Sequence, residues 1–265
     1  MTAKIGRLVQ EIKLLFRSIP SIMLAFAVVA IVGMNILANK SIDLGEKVGS
    51  WLALDCGIIF SWLIFLTMDV TTRRFGVKAA NIVSVFALFA NLLFAVILII
   101  ASYIPGFWGL SFLDDGSINL TVNTAIDLTF RGQWFVLLGS SVAFIVSAVV
   151  NNFLHAALEK AMKDKKRALA FTVSSYVSTF VAQFVDNLLF ALIVSLNFFG
   201  WTIVQCVTCA ITGALVELLF EVVFSPIGYR IVKHLEDDNV GKEYLELAYG
   251  GKQNETAQSV DLGNE

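Results

Sequence analysis

Six long apolar runs occupy most of the sequence. Each approaches the roughly 20 residues that a helix needs to cross a hydrocarbon core about 30 Å thick. A membrane barrel would instead show alternating segments of about 10 residues. The composition agrees, since 57% of the 265 residues are hydrophobic and 15% are charged, against roughly 25% charged in soluble domains. The sequence therefore predicts an all-α polytopic membrane protein whose six transmembrane helices lie at residues 20–38, 51–68, 79–103, 133–154, 169–196 and 201–224.

The positive charges predict the orientation of these helices. Lysine and arginine near the ends of spans are retained on the cytoplasmic side of a membrane. With the N-terminus inside, all 19 lysine and arginine residues except Lys40, Lys47 and Arg131 fall on that side. Alternate loops then obey the rule, which supports an even number of spans. Both termini are therefore predicted to be cytoplasmic.

The chain divides into three predicted regions. Residues 1–18 place apolar side chains on one helical face and turn Glu11 away from it, which is typical of a cytoplasmic interfacial helix. Residues 19–235 form the six-helix transmembrane domain. Residues 236–265 form a cytoplasmic tail whose polar end is predicted to be disordered.

Polar side chains inside the fifth run are the strongest candidates for a binding site. Thr179, Gln183, Asp186 and Asn187 follow one another at steps of three and four or lie side by side, so they share one face of a helix. Asp186 falls near the bilayer midplane, the depth at which secondary transporters bind their substrates. The alternative is that the two amides merely bond neighbouring helices, which explains the amides better than the carboxylate.

Two glutamates in the sixth run are candidates for ion or proton coupling. Glu217 and Glu221 lie one helical turn apart, toward the inner half of the run and just before Pro226. Acidic side chains at membrane depth mark proton and ion pathways. The same residues are equally explained as the lining of a cytoplasmic vestibule.

The three cysteines do not predict a metal site. Cys206 and Cys209 have the C-x-x-C spacing, but no second pair and no histidine cluster accompanies them. Ordinary packing is the expected role of these thiols, and no metal ligand is predicted.

Short motifs in this chain resemble one known family. Asp69, Arg73 and Gly76 follow the second run in the order of a D-x-x-x-E/R-x-Y/F-G signature. The first run ends in N-I-L-A-N-K, and the fifth run carries an S-T-x-x-x-Q-x-x-D-x-x-x-F pattern. In their order along residues 35–233, these motifs resemble the vitamin-uptake-transporter family, whose characterised members import queuosine precursors. The fifth-run pattern consists of Ser178, Thr179, Gln183, Asp186 and Phe190.

The resemblance implies a 7-deazaguanine base as the substrate. Such a base has adjacent N–H donors, which we expect Asp186 to accept as a charge-assisted pair. An amide N–H from Gln183 or Asn187 is expected to meet the carbonyl of the base, and Phe190 to stack on its flat face. Asn35 is expected to contribute from the facing first helix. The predicted substrate-binding set is therefore Asn35, Thr179, Gln183, Asp186, Asn187 and Phe190.

The resemblance also implies the setting in which the protein works. It implies a multi-pass protein of the bacterial cytoplasmic membrane, with the lipid bilayer and a small nucleobase-like substrate as partners. No cofactor and no nucleic acid are expected. Assembly as a homodimer and docking on an ATPase complex both remain open.

Other functional classes leave specific marks in a sequence. The six-helix plan also resembles the substrate-binding subunits of energy-coupling-factor importers, which dock on separate ATPases. No GxxxxGK[ST] sequence occurs here, so ATP is not this chain's own energy source. An intramembrane enzyme would need HExxH, GxSxG or a comparable acid and base set, and neither motif occurs. A membrane scaffold without cargo predicts that removal of the polar face of the fifth helix alters assembly and leaves uptake unchanged.

Overall fold

Helices form almost all of the regular structure in the computed structural model, which describes residues 2–43, 49–161 and 167–250. One antiparallel pair of three-residue strands, β1 (Ser41–Asp43) and β2 (Ala53–Asp55), accompanies them. A π-helical segment, Ala191–Ser195, joins two of the helices. The helices are α1 (Thr2–Ser18), α2 (Ser21–Leu37), α3 (Ile58–Phe75), α4 (Val77–Ala101), α5 (Leu120–Arg131), α6 (Gln133–Ala161), α7 (Arg167–Phe190), α8 (Leu196–Phe198), α9 (Ile203–Asp237) and α10 (Lys242–Tyr249).

Six of these helices pack side by side in a closed ring. Each helix contacts the next in the order α4, α2, α3, α9, α7 and α6, and α6 contacts α4 to close the ring. Small buried residues such as Ala79 and Ala87 of α4 and Ala27 of α2 lie in the seams, where they let helix backbones approach closely. The ring places α7 between α6 and α9, which decides the neighbours of its polar face.

The outer surface of the ring is apolar. Val85, Phe89 and Ile97 of α4 are all more than half exposed, and exposed apolar area on this scale marks contact with lipid. Among the described residues, four helical segments are long and apolar enough to cross a membrane, and the pair formed by α1 and α2, bent by 98°, makes a fifth candidate. The chain is therefore a polytopic helical membrane protein. The count of six spans and the cytoplasmic placement of both termini stay predictions.

The second apolar run folds differently from its prediction. Residues 53–55 form strand β2, in which Asp55 lies opposite Ser41 of β1, and α3 begins only at Ile58. The Asp55 carboxylate accepts a hydrogen bond from the Gly57 N–H at 2.7 Å, which turns the chain toward the helix. The predicted start at residue 51 is therefore wrong. Because α3 continues to Phe75, its last turns carry Asp69 and Arg73, which the sequence placed after the span.

The sixth apolar run continues further than predicted. A capping box between Thr202 and Gln205 starts α9, and the helix passes through Pro226 to Asp237 rather than ending at residue 224. At 1.5 Å per residue, its 35 residues span about 52 Å. This is well beyond the roughly 30 Å of the hydrocarbon core, so α9 extends out of the membrane.

The N-terminal and C-terminal helices pack on each other. The Arg7 guanidinium donates to the Leu247 carbonyl of α10 at 3.0 Å. Glu11 pairs with Arg7 and with Lys78 of α4 and is only 3% exposed. Glu11 is therefore buried although it carries a charge, because two cations in α1 and α4 compensate its burial.

The predicted cytoplasmic tail contains helix α10, which was not predicted from the sequence. In α10, Tyr244 is fully buried against Phe75 of α3, with the ring centroids 6.5 Å apart. Residues 251–265, on which the prediction of disorder falls, lie outside the described residues.

Candidate functional site

The polar face of α7 lies against α6 and α9. Gln183 is buried on this face, with 7% of its surface exposed. Thr179, Asp186, Asn187 and Phe190 are half-buried on the same face. The helical spacing read from the sequence therefore describes one continuous surface that is enclosed by neighbouring helices.

Asp186 is held by a hydroxyl of α6. The Ser147 Oγ lies 2.9 Å from the Asp186 Oδ1 and 3.0 Å from the Phe144 carbonyl oxygen. A hydroxyl has a single proton, so the two acceptors share it. The carboxylate therefore keeps most of its acceptor capacity for other donors.

Asn187 joins α7 to α9. Its Nδ2 donates to the Glu217 Oε2 at 3.1 Å and to the Gln183 carbonyl at 3.0 Å. A Cβ at Gly213, one turn before Glu217, would lie 3.0 Å from this nitrogen. The glycine therefore lets α9 approach the site, and Glu217, predicted as a separate coupling residue, is brought next to Asp186.

Gln183 has unused hydrogen-bonding capacity. Both its Nε2 and its Oε1 are buried, and neither has a hydrogen-bond partner in the described part of the chain. A buried polar atom without a partner costs about 1–3 kcal/mol, and such atoms are rare in native proteins. One donor and one acceptor thus stand together, one turn from Asp186.

Two residues of the predicted binding set, Asn35 and Phe190, have contacts outside the polar face of α7. Asn35 donates to the Ile31 carbonyl of its own helix, and its backbone carbonyl accepts from Gln133 of α6 at 3.1 Å. No described hydrogen bond joins Asn35 to α7. Phe190 packs against a small cluster that contains Ala38 and Val136. Phe190 therefore borders the polar face at one end, whereas Asn35 belongs to the contact between α2 and α6.

Sequence reasoning missed two features next to the site. Gln133 of α6 accepts a hydrogen bond from Asn39 Nδ2 at 2.7 Å and donates to the Asn35 carbonyl of α2. The sequence identifies it only as the first residue of an apolar run. The π-helical segment begins directly after Phe190, and such segments occur frequently at functional sites. No residue pattern in 191–195 distinguishes it from an ordinary helix.

A second acidic group lies one helical turn further along α9 than Glu217. Asp69 and Arg73 form an ion pair at 2.7 Å within α3, and both interact electrostatically with Glu221 of α9. The Glu221 Oε2 is buried and has no hydrogen-bond partner among the described residues. Glu217 and Glu221 therefore belong to different groups, the first with Asp186 and the second with Asp69.

Gly76 of the motif has a backbone role. It separates α3 from α4 with φ +85° and ψ 166°, a conformation that is essentially restricted to glycine. A Cβ built there would collide with the Tyr249 hydroxyl of α10. The motif glycine therefore allows both the turn and the packing of α10.

Asp55 allows a pH-dependent prediction. It lies in β2, outside the membrane-spanning helices, and burial raises the pKa of its carboxyl from 3.8 to about 6. The folded state therefore retains a proton that the unfolded state loses between about pH 4 and 6, so Asp55 costs stability as the pH rises through this range. We expect Asp55→Asn to raise the free energy of unfolding by about 2 kcal/mol near neutral pH and to leave it unchanged near pH 4.

Thermal unfolding of the purified protein at the two pH values measures this effect. Asp114→Asn, which removes a carboxylate from an exposed loop position, is the matched control. An equal gain for Asp55→Asn at both pH values would contradict the assigned cause.

The described residues show no metal centre. Within 2–43, 49–161 and 167–250, no group of three His, Cys, Asp or Glu side chains is arranged to hold a metal ion. Cys56, Cys206 and Cys209 are free and buried.

Polar groups enclosed by a ring of apolar helices define a class of protein, a polytopic membrane protein with an intramembrane polar site. A family model described as "Putative vitamin uptake transporter" matches residues 55–231. This match covers about two thirds of the sequence, and the chain belongs to the vitamin uptake transporter family. The family predicted from the motifs is thereby confirmed, and the description of that family is one of transport.

The matched region contains every polar group of α3, α6, α7 and α9 described above, but neither α1 nor α10. The searches among curated proteins and among solved structures found no match.

Proposed function

We propose that this protein imports a queuosine precursor, a 7-deazaguanine base, across the bacterial cytoplasmic membrane and binds it on the polar face of α7. Family membership supports transport of a small molecule. The unpaired donor and acceptor of Gln183, one turn from Asp186, are the observation that carries the choice of substrate. A base of this kind presents a carbonyl and several N–H donors along one edge, which matches a carboxylate next to a free amide.

The hydrogen bonds of the two side-chain amides of α7, Gln183 and Asn187, favour different roles for them. Asn187 already donates to Glu217 and to the Gln183 carbonyl, so its N–H groups are committed to the protein. Gln183 has no such commitment. We therefore assign the carbonyl of the base to Gln183 and its paired donors to Asp186, with Asn187 as a positioning residue for Glu217.

The ends of the polar face suit the faces and edges of a flat ring. Phe190 is half-buried one turn beyond Asp186 and offers its ring for stacking. Thr179 is half-buried one turn before Gln183 and adds a hydroxyl at the opposite end. From Thr179 to Phe190 the helix rises about 16 Å, which leaves room for a flat base along the face between them.

Substrate entry requires helices to separate. Gly213 brings α9 close to Asn187, and a Cβ at Gly139 of α6 would collide with a methyl group of Val194. The polar face is therefore enclosed by close packing on both sides. Movement of α9 or α6 away from α7 would admit the base, in the manner of alternating access around a fixed midplane site.

The two glutamates of α9 supply a route for coupling. Glu217 interacts electrostatically with Asp186, so a substrate hydrogen-bonded to the Asp186 carboxylate alters the electrostatic environment of Glu217. Glu221 lies one turn further inward with an unpaired carboxylate oxygen. We propose that these residues exchange a proton or cation as the substrate passes, which would make transport dependent on an ion gradient.

A ligand screen of the purified protein tests the proposed cargo. We expect 7-cyano-7-deazaguanine, 7-aminomethyl-7-deazaguanine or queuine to raise the midpoint of thermal unfolding, since ligand at one hundred times its Kd stabilises by about 2.7 kcal/mol. Guanine and unrelated vitamins serve as comparison ligands. Stabilisation by none of the deazaguanines would contradict the cargo and leave the fold and family untouched.

A further inference from the structure

A cationic cavity opens beside the last third of α9. Its volume is about 580 Å³. None of the residues proposed to bind substrate lines it, so it is separate from the polar face of α7. Its polar lining comes from α3, α7 and α9 and consists of Arg73, Tyr176, Ser225, Tyr229, Arg230 and Lys233.

The cavity carries uncompensated positive charge. Arg73 is neutralised by Asp69 at 2.7 Å. Arg230 and Lys233 are exposed and have no ion-pair partner in the described part of the chain. A guanidinium beside an ammonium is well suited to a phosphate group, because the guanidinium offers a fork of N–H donors and the ammonium a compact charge.

The depth of the cavity places it at the level of lipid headgroups. From Ile203 to Val222, α9 rises about 28 Å, which is close to the full thickness of the hydrocarbon core. Residues 225–233 therefore emerge at the membrane surface. Tyr176 and Tyr229 are 38% and 55% exposed, and tyrosines of this kind are typical of the boundary between lipid and water.

Apolar side chains continue the cavity toward the membrane. Val222 and Pro226 complete its lining, and Val223 and Ile227 beside them are 55% and 46% exposed. A soluble anion would use only the cationic end of such a surface. A phospholipid would use both ends, with its acyl chains along the exposed apolar side of α9.

We propose that this cavity binds the headgroup phosphate of an anionic phospholipid through Arg230 and Lys233. Its acyl chains lie against Val222, Val223 and Ile227. Basic pockets between transmembrane helices on the cytoplasmic side bind anionic headgroups in this way. The bound lipid holds the extended end of α9 at the membrane surface, next to the group formed by Asp69, Arg73 and Glu221.

Thermal unfolding of the full-length protein in detergent micelles tests the proposal. We expect added phosphatidylglycerol to raise the unfolding midpoint by about 5 °C at saturating concentration, and phosphatidylcholine to have less than about a fifth of this effect. Inorganic phosphate and glycerol 3-phosphate are the soluble arms, and we expect neither to stabilise the protein appreciably. Native mass spectrometry of the wild-type protein should show one phosphatidylglycerol retained per chain.

Charge-matched variants locate the site. Arg230→Gln/Lys233→Gln is expected to lose the shift given by phosphatidylglycerol, whereas Lys13→Gln/Lys242→Gln, which removes two exposed charges elsewhere, should keep it. Equal shifts with phosphatidylcholine, an equal shift with inorganic phosphate, or equal loss in both double variants would each overturn the proposal. If the first double variant fails to fold, Lys233→Gln alone and the retained-lipid count on the wild-type protein decide the question.

Discussion

Replacing Asp186 by asparagine is expected to weaken binding of the 7-deazaguanine base by about 10- to 100-fold and to abolish its uptake. The substitution removes the charge that strengthens the two proposed hydrogen bonds, and a hydrogen bond to a charged group contributes about 1.5–3 kcal/mol. The asparagine also presents an N–H group toward a donor of the base, so one contact becomes repulsive. Titration of the purified variant with the base measures the Kd, and cells unable to make the base report uptake.

The loss of binding expected for Asp186→Asn can be distinguished from a loss of folding. The asparagine oxygen still accepts the Ser147 hydroxyl, and removal of the charge relieves its repulsion of Glu217. The unfolding midpoint should therefore be unchanged or higher while binding is lost. Asp114→Asn, at an exposed loop position, should alter neither quantity. Unimpaired uptake by Asp186→Asn would show that the carboxylate does not bind the base.

Replacing Gly76 by alanine is expected to lower the free energy of unfolding by about 3 kcal/mol. The backbone conformation at this position costs a non-glycine residue about 1–3 kcal/mol, and the new Cβ collides with the Tyr249 hydroxyl. In a protein of this size, about 3 kcal/mol corresponds to a fall of about 6–12 °C in the unfolding midpoint. Thermal unfolding of the purified variant measures it.

Two further variants separate the causes of this loss. Gly6→Ala lies in helix α1 with nothing within 4 Å of its new Cβ, so it should be neutral or slightly stabilising. In a Tyr249→Ala background the collision is absent, and Gly76→Ala should then cost only the backbone contribution. An identical cost in both backgrounds would show that α10 does not pack against Gly76 as described.

The sequence predicts the helices best where a run is apolar from end to end. The ends of α2 and α4 lie within two residues of the predicted ones. In an apolar run surrounded by lipid, a helix is the form that pairs the backbone N–H and C=O groups within the segment itself. The second run fails this logic. Trp51 and Leu54 are as apolar as any helix residue, yet Trp51 lies just before strand β2 and Leu54 lies within it. The average hydrophobicity of the run contains no information on the pairing of β2 with β1.

The candidate site was predictable only along a single helix. Helical spacing fixes which residues of α7 share a face, so the grouping of Gln183, Asp186 and Asn187 follows from the sequence. The contacts with Ser147 and Glu217 depend on how α6 and α9 pack around α7, and no local pattern encodes that arrangement. Glu11 illustrates the same limit, because its burial depends on Lys78, 67 positions away.

The packing of α10 on α1 has a consequence for biosynthesis. Translation makes α1 before the helices of the ring and α10 after them, so the Leu247 carbonyl reaches Arg7 only after the whole ring of helices has been made. Until then Glu11, Phe75 and Gly76 lack the cover that α10 provides. A nascent chain that stalls before residue 242 therefore leaves Glu11 of α1 and the Phe75 ring of α3 without their cover.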